Sequence, residues 1–371
     1  MRLLSRLSNR LRSDVRIDGA VRSGNTVSMR VDQQRLLVRC DSHRLRLMPE
    51  AVASALQVPA LSQGRRLVMA DADATWHRNQ ADYQKIVCGW WGYPPQPIQA
   101  GVLRPPARRP AGRVGLAFSL GVDSLHSCFF EARQPDLLIL VGGFDVPYAD
   151  HAVFGAMQAS TRQVAAELGI GYAVLRTNLR TLHLFRRENW ERTHGGALAL
   201  VGLCMAEHVG ALQISSSMSW DNIMAWGTHP ELDHLMGTSD FQFHHLGAET
   251  SRLDKVARLL SDPVSRTLFR QHVRVCWEDP SAEGGCGRCE KCMHLKLILL
   301  ALDAGFIPDR MRAAPPLEVL LDAAPALRNP VVIRNRRRLL GLRDRRVNAA
   351  LQRYVDRSEA ALAQASGRTD P

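Results

Sequence analysis

Phe118-Ser119-Leu120-Gly121-Val122-Asp123-Ser124-Leu125-His126-Ser127 is the stretch on which the fold turns. It follows Val114-Gly115-Leu116-Ala117, a short apolar run of the kind that makes a buried strand. It leads into residues 125–131, where apolar side chains recur at helical spacing. A strand, a tight turn and a helix start in that order form a place to hold phosphate. The helix N-terminus offers unpaired N–H groups and a positive dipole end, and Gly121 lets the backbone approach an anion closely. Ser119 and Ser124 add hydroxyl donors, Leu120 and Val122 complete the loop, and Asp123 could hold a magnesium ion that bridges phosphate oxygens. No Gly-Lys-Ser/Thr ends the loop, so it is not of the Walker type.

Outward from this loop, the chain of 371 residues is long enough for two or more domains and a large core. Its 46% hydrophobic and 23% charged content is that of an ordinary globular protein. No apolar run approaches the roughly 20 residues of a membrane helix, so no span is expected. Residues 1–16 are basic but lack an apolar core of signal-peptide length, which makes a cytoplasmic location the expectation. Lys plus Arg outnumber Asp plus Glu by 48 to 36, a formal charge of +12 that suits an anionic ligand and permits nucleic acid.

On the N-terminal side, residues 15–41 alternate in short pieces separated by turn residues, the pattern of a small antiparallel sheet. Residues 49–61 and 79–91 read as helices and 66–70 as a strand. Trp90 and Trp91 are read as packing a domain interface in preference to a binding surface. Residues 95–113, with Pro-Pro-Ala-Arg-Arg-Pro, read as an extended linker, so a β-rich domain is expected over 1–94.

On the C-terminal side, strands at 136–141, 172–176 and 211–215 alternate with helices at 152–168 and 197–208, which argues for a parallel sheet with helices on both faces. Ligands in such sheets bind at the carboxyl ends of strands. That places Ser119, Asp145, Thr177, Asn178 and residues 215–217 on one rim. Residues 220–243 lack periodicity and read as a substrate loop. Trp220, Asp221, His229, Glu231, His234, Glu249, Arg252 and Lys255 are its candidate substrate or phosphate contacts. The pairs His244-His245 and His229/His234 lack the spacing of a dedicated metal site.

Of eight cysteines, Cys40, Cys88, Cys128 and Cys204 lie among apolar neighbours and read as buried free thiols. Cys276, Cys286, Cys289 and Cys292 form a cluster in which three thiols stand at two-residue intervals. Four thiolates suit a closed tetrahedral zinc site, and an iron–sulfur cluster could use the same ligands. The apolar helix expected from Met293 begins beside them. Beyond Gly305, residues 317–326 read as a helix, and 334–346 carry seven arginines against one aspartate. That run is read as one solvated helix face in preference to a grip on RNA phosphates.

The loop resembles the pyrophosphate-binding loop of the N-type ATP pyrophosphatases, Ser-Gly-Gly-x-Asp-Ser, with Leu120 in place of the first glycine. The cysteine spacing, opening an apolar helix, is similar to the zinc signature of one member, 7-cyano-7-deazaguanine synthase. The resemblance runs over 114–305, about half the chain, and is to a divergent relative rather than to the nitrile-forming enzyme itself. It implies an α/β fold of the adenine nucleotide alpha-hydrolase-like (HUP) kind over 114–305, followed by a helical extension over 306–371. It further implies ATP and Mg2+ as ligands, Zn2+ as a structural ion, and adenylation of a carboxylate or amide substrate with release of pyrophosphate, then C–N bond formation. Ser119, Leu120, Gly121, Val122, Asp123, Ser124 and Asp145 would contact the nucleotide, with Asp123 and Lys255 the candidate catalytic residues. Trp220, Asp221, His229, Glu249 and Arg252 would contact substrate. RNA modification and a non-catalytic nucleotide-binding scaffold are the alternatives. Nucleic acid is a less favoured partner than a small molecule, and a homodimer is left open.

Overall fold

The structure, a computed structural model, describes residues 14–46, 48–106, 112–276, 278–279 and 284–366. The chain opens with an antiparallel meander of β1 (Val15–Ser23), β2 (Thr26–Val31) and β3 (Gln34–Cys40). Alternation along β2 buries Val27, Met29 and Val31 and leaves Arg30 in solvent. Then come α1 (Pro49–Ser62), β4 (Leu67–Asp73), α2 (Ala74–Trp91) and β5 (Ile98–Arg104). Strand and helix alternate through β6 (Val114–Ala117), α3 (Val122–Phe130), β7 (Leu137–Gly142), α4 (His151–Leu168) and β8 (Gly171–Thr177). The short α5 (His183–Arg186) and α6 (Trp190–Cys204) precede β9 (Ala211–Ser215) and β10 (Gln242–Leu246). The remainder is helical: α7 (Arg252–Ser261), α8 (Pro263–His272), α9 (Glu290–Ala301), α10 (Leu317–Ala323), α11 (Pro330–Arg337) and α12 (Arg345–Ser366). Among the described residues no helix is long and apolar enough to cross a membrane.

The chain forms two compact units, one of residues 14–119 with 130–249 and one of 120–129 with 250–366. The first holds a single ten-stranded sheet in the order β10-β9-β6-β7-β8-β3-β2-β1-β4-β5. Most ladders are parallel; the antiparallel ones are β1–β2, β2–β3 and β3–β8. This is an α/β architecture compatible with a Rossmann-like fold. From β6 the chain runs through β7 and β8 to one side, and β9 and β10 lie on the other. That reversal makes the crevice outside the carboxyl ends of β6 and β9 the expected ligand position.

Local signals account for many of these boundaries. The Asp73 carboxylate caps α2 by accepting from the N–H groups of Thr75 and Trp76 at 2.9 and 3.0 Å. Asp150 caps α4, and Gly169, at φ 65°, closes it in the left-handed conformation.

Several expectations are corrected within the first unit. The N-terminal strands have no sheet of their own, because β3 pairs with β8 and carries the meander into the main sheet. Residues 98–104, read as linker, pair as β5 alongside β4, and Arg104 forms ion pairs with Glu50 and Asp71. Residues 107–111 of that linker lie outside the described residues. Trp90 and Trp91 pack on the core of this unit, with Trp90 4.8 Å from the His229 ring. The helix expected at 197–208 starts at Trp190, and the end of the expected substrate loop is β10.

The second unit is built from helices. Leu317, Leu321, Ile333, Leu339, Leu351, Tyr354 and Val355 form a buried apolar set on α10, α11, α12 and the link between them. Residues 306–366, expected as a separate extension, belong to the same unit as 250–305. The basic run is solvated as expected at Arg334, Arg337, Arg338, Arg343, Arg345 and Arg346, with Leu339, Leu342 and Val347 buried, and departs from that reading at Arg336. Arg336 is 1% exposed, while Arg337 pairs with Glu359 and Arg343 with Asp303.

Candidate functional site

In the second unit the loop residues open α3. Leu120 sits at φ 63°, the left-handed region that glycine enters freely and a leucine enters at a cost of about 1–2 kcal/mol. Its side chain is 2% exposed, so apolar burial offsets that strain, and its carbonyl accepts from the Arg274 N–H at 2.9 Å. The Gly121 carbonyl accepts from Leu125 N–H at 2.9 Å and Ser124 Oγ at 3.2 Å, which closes the first turn. Val122 and Ser124 are buried.

Asp123 lies in that first turn, where a carboxylate also meets the positive end of the helix. Its Oδ2 accepts from Arg252 Nη2 at 2.6 Å and its Oδ1 from Lys255 Nζ at 3.2 Å. Arg252 and Lys255 are three apart on α7, hence on one face of it. Lys255 is 2% exposed, a placement lysine tolerates only when paired. Burial alone would raise the Asp123 carboxyl, but Arg252 and Lys255 outweigh it and hold the group below its ordinary range.

Three further groups join this cluster. Arg336 on α11 donates to Oε1 of Glu290 and to Nδ1 of His294, which stand one turn apart on α9. Burial, then the fields of Arg336 and Arg252, hold His294 well below its ordinary value, so the ring is neutral and accepts. Arg252, Lys255 and Arg336 thus stand against the carboxylates of Asp123 and Glu290. Arg274, 6% exposed, has no hydrogen-bond partner for Nε or Nη2 among the described residues. An uncompensated buried guanidinium is costly unless an anion joins it.

The four clustered cysteines are all buried, with sulfurs within 4.8 Å of one another, and could hold a metal ion. Cys276 Sγ and Cys289 Sγ are 3.9 Å apart, against about 3.8 Å for two sulfurs at tetrahedral zinc with Zn–S bonds near 2.3 Å. Backbone N–H groups of Asp279 and Cys289 point at Cys276 Sγ and Cys286 Sγ at 3.4 and 3.3 Å, as donors that favour thiolates. Gly285 is required here, since a Cβ would lie 2.9 Å from Cys292 Sγ. Residues 277 and 280–283 of this loop lie outside the described residues. Of the other cysteines, Cys40, Cys128 and Cys204 are buried as expected, while Cys88 is only half-buried; burial pushes Cys204 up to about 12 and Cys128 higher still.

The first unit carries its own polar rim at the strand ends. Ser119 is its last residue before the loop leaves it. Asp145, after β7, lies in the field of Arg180 and His194. The Arg180 guanidinium stacks 4.6 Å from the Trp190 ring and donates to the Phe144 carbonyl. His194 donates through Nδ1 to Trp190 O and accepts from Thr228 Oγ1, each at 3.1 Å. His229 is buried and accepts the Glu231 N–H on Nδ1 at 3.1 Å, and burial lowers its pKa. Trp220, 56% exposed, Asp221, His234 and Glu249 are surface residues.

The structure therefore brings together Asp123, Arg252 and Lys255, and separately the four cysteines. Sequence reasoning missed Glu290, His294, Arg336 and Arg274, and in the first unit Asp233 and His245. The i, i+4 spacing of Glu290 and His294 was readable as a shared helix face. Nothing local marked Arg336 for burial. Comparison of the chain with protein-family models, with curated proteins and with solved structures finds no match in any of the three.

Proposed function

We propose that the protein is an ATP-dependent adenylating enzyme of the N-type ATP pyrophosphatase kind, divergent from 7-cyano-7-deazaguanine synthase and carrying a HUP-like sheet. The observation that carries the reading is Asp123 in the first turn of α3, held by Arg252 and Lys255 from α7. Leu120 in the backbone conformation of a glycine and the unpaired buried guanidinium of Arg274 beside it support the same reading.

In this reading a carboxylate or amide oxygen of the substrate attacks the α-phosphorus of ATP, and the bond to the leaving pyrophosphate breaks. A nitrogen nucleophile then displaces AMP from the adenylate. The α3 N–H groups, Ser124, Arg274, Arg252 and Lys255 would receive charge as it develops on the leaving oxygens. Asp123 would turn to Mg2+, which neutralises phosphate charge when bound. The four cysteines would hold Zn2+ as a closed structural ion, in keeping with a reducing cytoplasmic setting.

The test is Mg2+-dependent binding of a non-hydrolysable ATP analogue to the wild type, Asp123→Asn and Arg274→Met. Saturable binding weakened at least about tenfold, roughly 1.4 kcal/mol, in both variants is the expected result. A folded, metal-loaded wild type that binds no analogue would sink the enzyme and leave a scaffold.

A further inference from the structure

A pocket in the first unit uses none of the loop residues. It lies where β9 ends and β10 runs beside it, and Ser216, Met218, Met224, Trp226, Thr228 and His245 form most of its wall. Its free volume is about 10 Å³, room for one water-sized group. His245 Nδ1 lies 2.8 Å from Asp233 Oδ2, and both side chains are buried, at 6% and 0% exposure. A carboxylate only accepts, so Nδ1 carries the proton, and in the neutral ring Nε2 is bare. Asp233 is itself anchored, since its Oδ1 accepts the His229 N–H at 3.2 Å. The ring is thus fixed in position and tautomer, as an orienting carboxylate fixes a histidine in catalytic dyads.

Nε2 is buried and has no hydrogen-bond partner among the described residues. A buried acceptor left unpaired costs about 1–3 kcal/mol. The nearby serine does not remove that cost: Ser216 Oγ gives its proton to the Met218 carbonyl at 2.7 Å. That commitment also argues against a serine nucleophile activated by this histidine.

We propose that His245 is a ligand-binding residue whose Nε2 accepts a hydrogen bond from the terminal N–H or O–H group of a small uncharged ligand. One donor group fills the pocket, and the rest of the ligand leaves past Met224, which is 36% exposed. The site stands apart from the ATP reading and survives its failure, because it involves no residue of the loop or of the cation cluster.

The experiment uses the full-length protein labelled with 15N-histidine, with the His245 ring assigned through bonds from its own backbone. Formamide is the probe and formate, of the same size but an anion without a donor, is the control. Formamide is expected to move the Nε2 resonance saturably, with formate having no effect. Asp233→Asn is expected to weaken the formamide response at least about tenfold. An Nε2 resonance unmoved by formamide, one moved equally by formate, or a bound water that formamide does not displace would overturn the proposal. Because the first reading is made on the wild type, misfolding of the variant does not rescue or defeat it.

Discussion

The rim histidines His194 and His229 of the first unit and the cation cluster of the second meet burial in opposite ways. In the first, the rim histidines His194 and His229 are lowered by burial and satisfied by neutral partners: a carbonyl, a hydroxyl and a backbone N–H. In the second, full charges are kept: Lys255 and Arg336 are almost wholly buried against Asp123 and Glu290, and Arg274 has an unpaired edge. Neutral groups with oriented lone pairs suit recognition of an uncharged molecule. Clustered cations kept out of water suit an anion, since removing solvent strengthens every charge–charge contact. Under the two proposals above, hydrogen bonding would serve the site of the first unit and charge neutralisation that of the second.

The most severe way to break this contrast is to dismantle the cysteine cluster. Cys286→Ser should abolish stoichiometric zinc, measured by elemental analysis, and unfold the second unit early in a thermal scan. Apparent binding on the order of 10 kcal/mol is at stake at structural zinc sites. A variant with full zinc content and an unchanged scan would remove the metal from the account.

Next in size is the buried ion pair. Asp123→Ala should destabilise the second unit by about 3–5 kcal/mol, because Lys255 is left charged and buried. Adding Lys255→Met should recover much of that loss in chemical denaturation. Asp233→Asn in the first unit removes the acceptor of a single histidine and should cost only about 1–3 kcal/mol. Equal losses in the two units would erase the contrast.

Acid sharpens the comparison further. His294 is held well below its ordinary 6.5, so above that pH neither folded nor unfolded chain protonates it. Below 6.5 the unfolded state takes up a proton that the folded state refuses, and stability falls as the pH drops toward the folded value. Asp123, held below its ordinary 3.8, stabilises fully above that pH and loses its contribution as the pH falls below it. The second unit should lose stability in both windows, and His294→Gln should flatten the upper one in pH-dependent denaturation. The smallest effect belongs to Trp220, whose exposed ring can be cut to alanine within about 0.5 kcal/mol of wild type, as read by denaturant midpoint.

Much of the first unit was legible where the signal is local. Residues 114–117 and 211–215 read as strands and are β6 and β9, since an unbroken apolar run bounded by turn residues suffices to mark a buried parallel strand. The start of α6 was missed because Gly195 and Gly196 argue against a helix. They are there for closeness: a Cβ would fall 1.8 Å from Gly227 O at the first and 2.3 Å from Ser54 O at the second. The loop reading of 220–243 overlaps β10 at Gln242 and Phe243; Gln242-Phe-His-His-Leu has little apolar content, and its parallel pairing to β9 makes it a strand. Likewise β5 sits in a proline-rich segment whose composition speaks for linker.

The four cysteines, the loop with its acidic residue, and the alternation of strands and helices can be read from the chain because each is a short-range pattern of residue types. Which cations meet Asp123, that Arg336 is buried against Glu290 and His294, and that Asp233 orients His245 are decisions of tertiary structure. Burial and ion pairing depend on what lies across a packed contact, as with Arg336 against Glu290 forty-six residues earlier. Spacing along the chain places a side chain on a face; only packing says what that face meets.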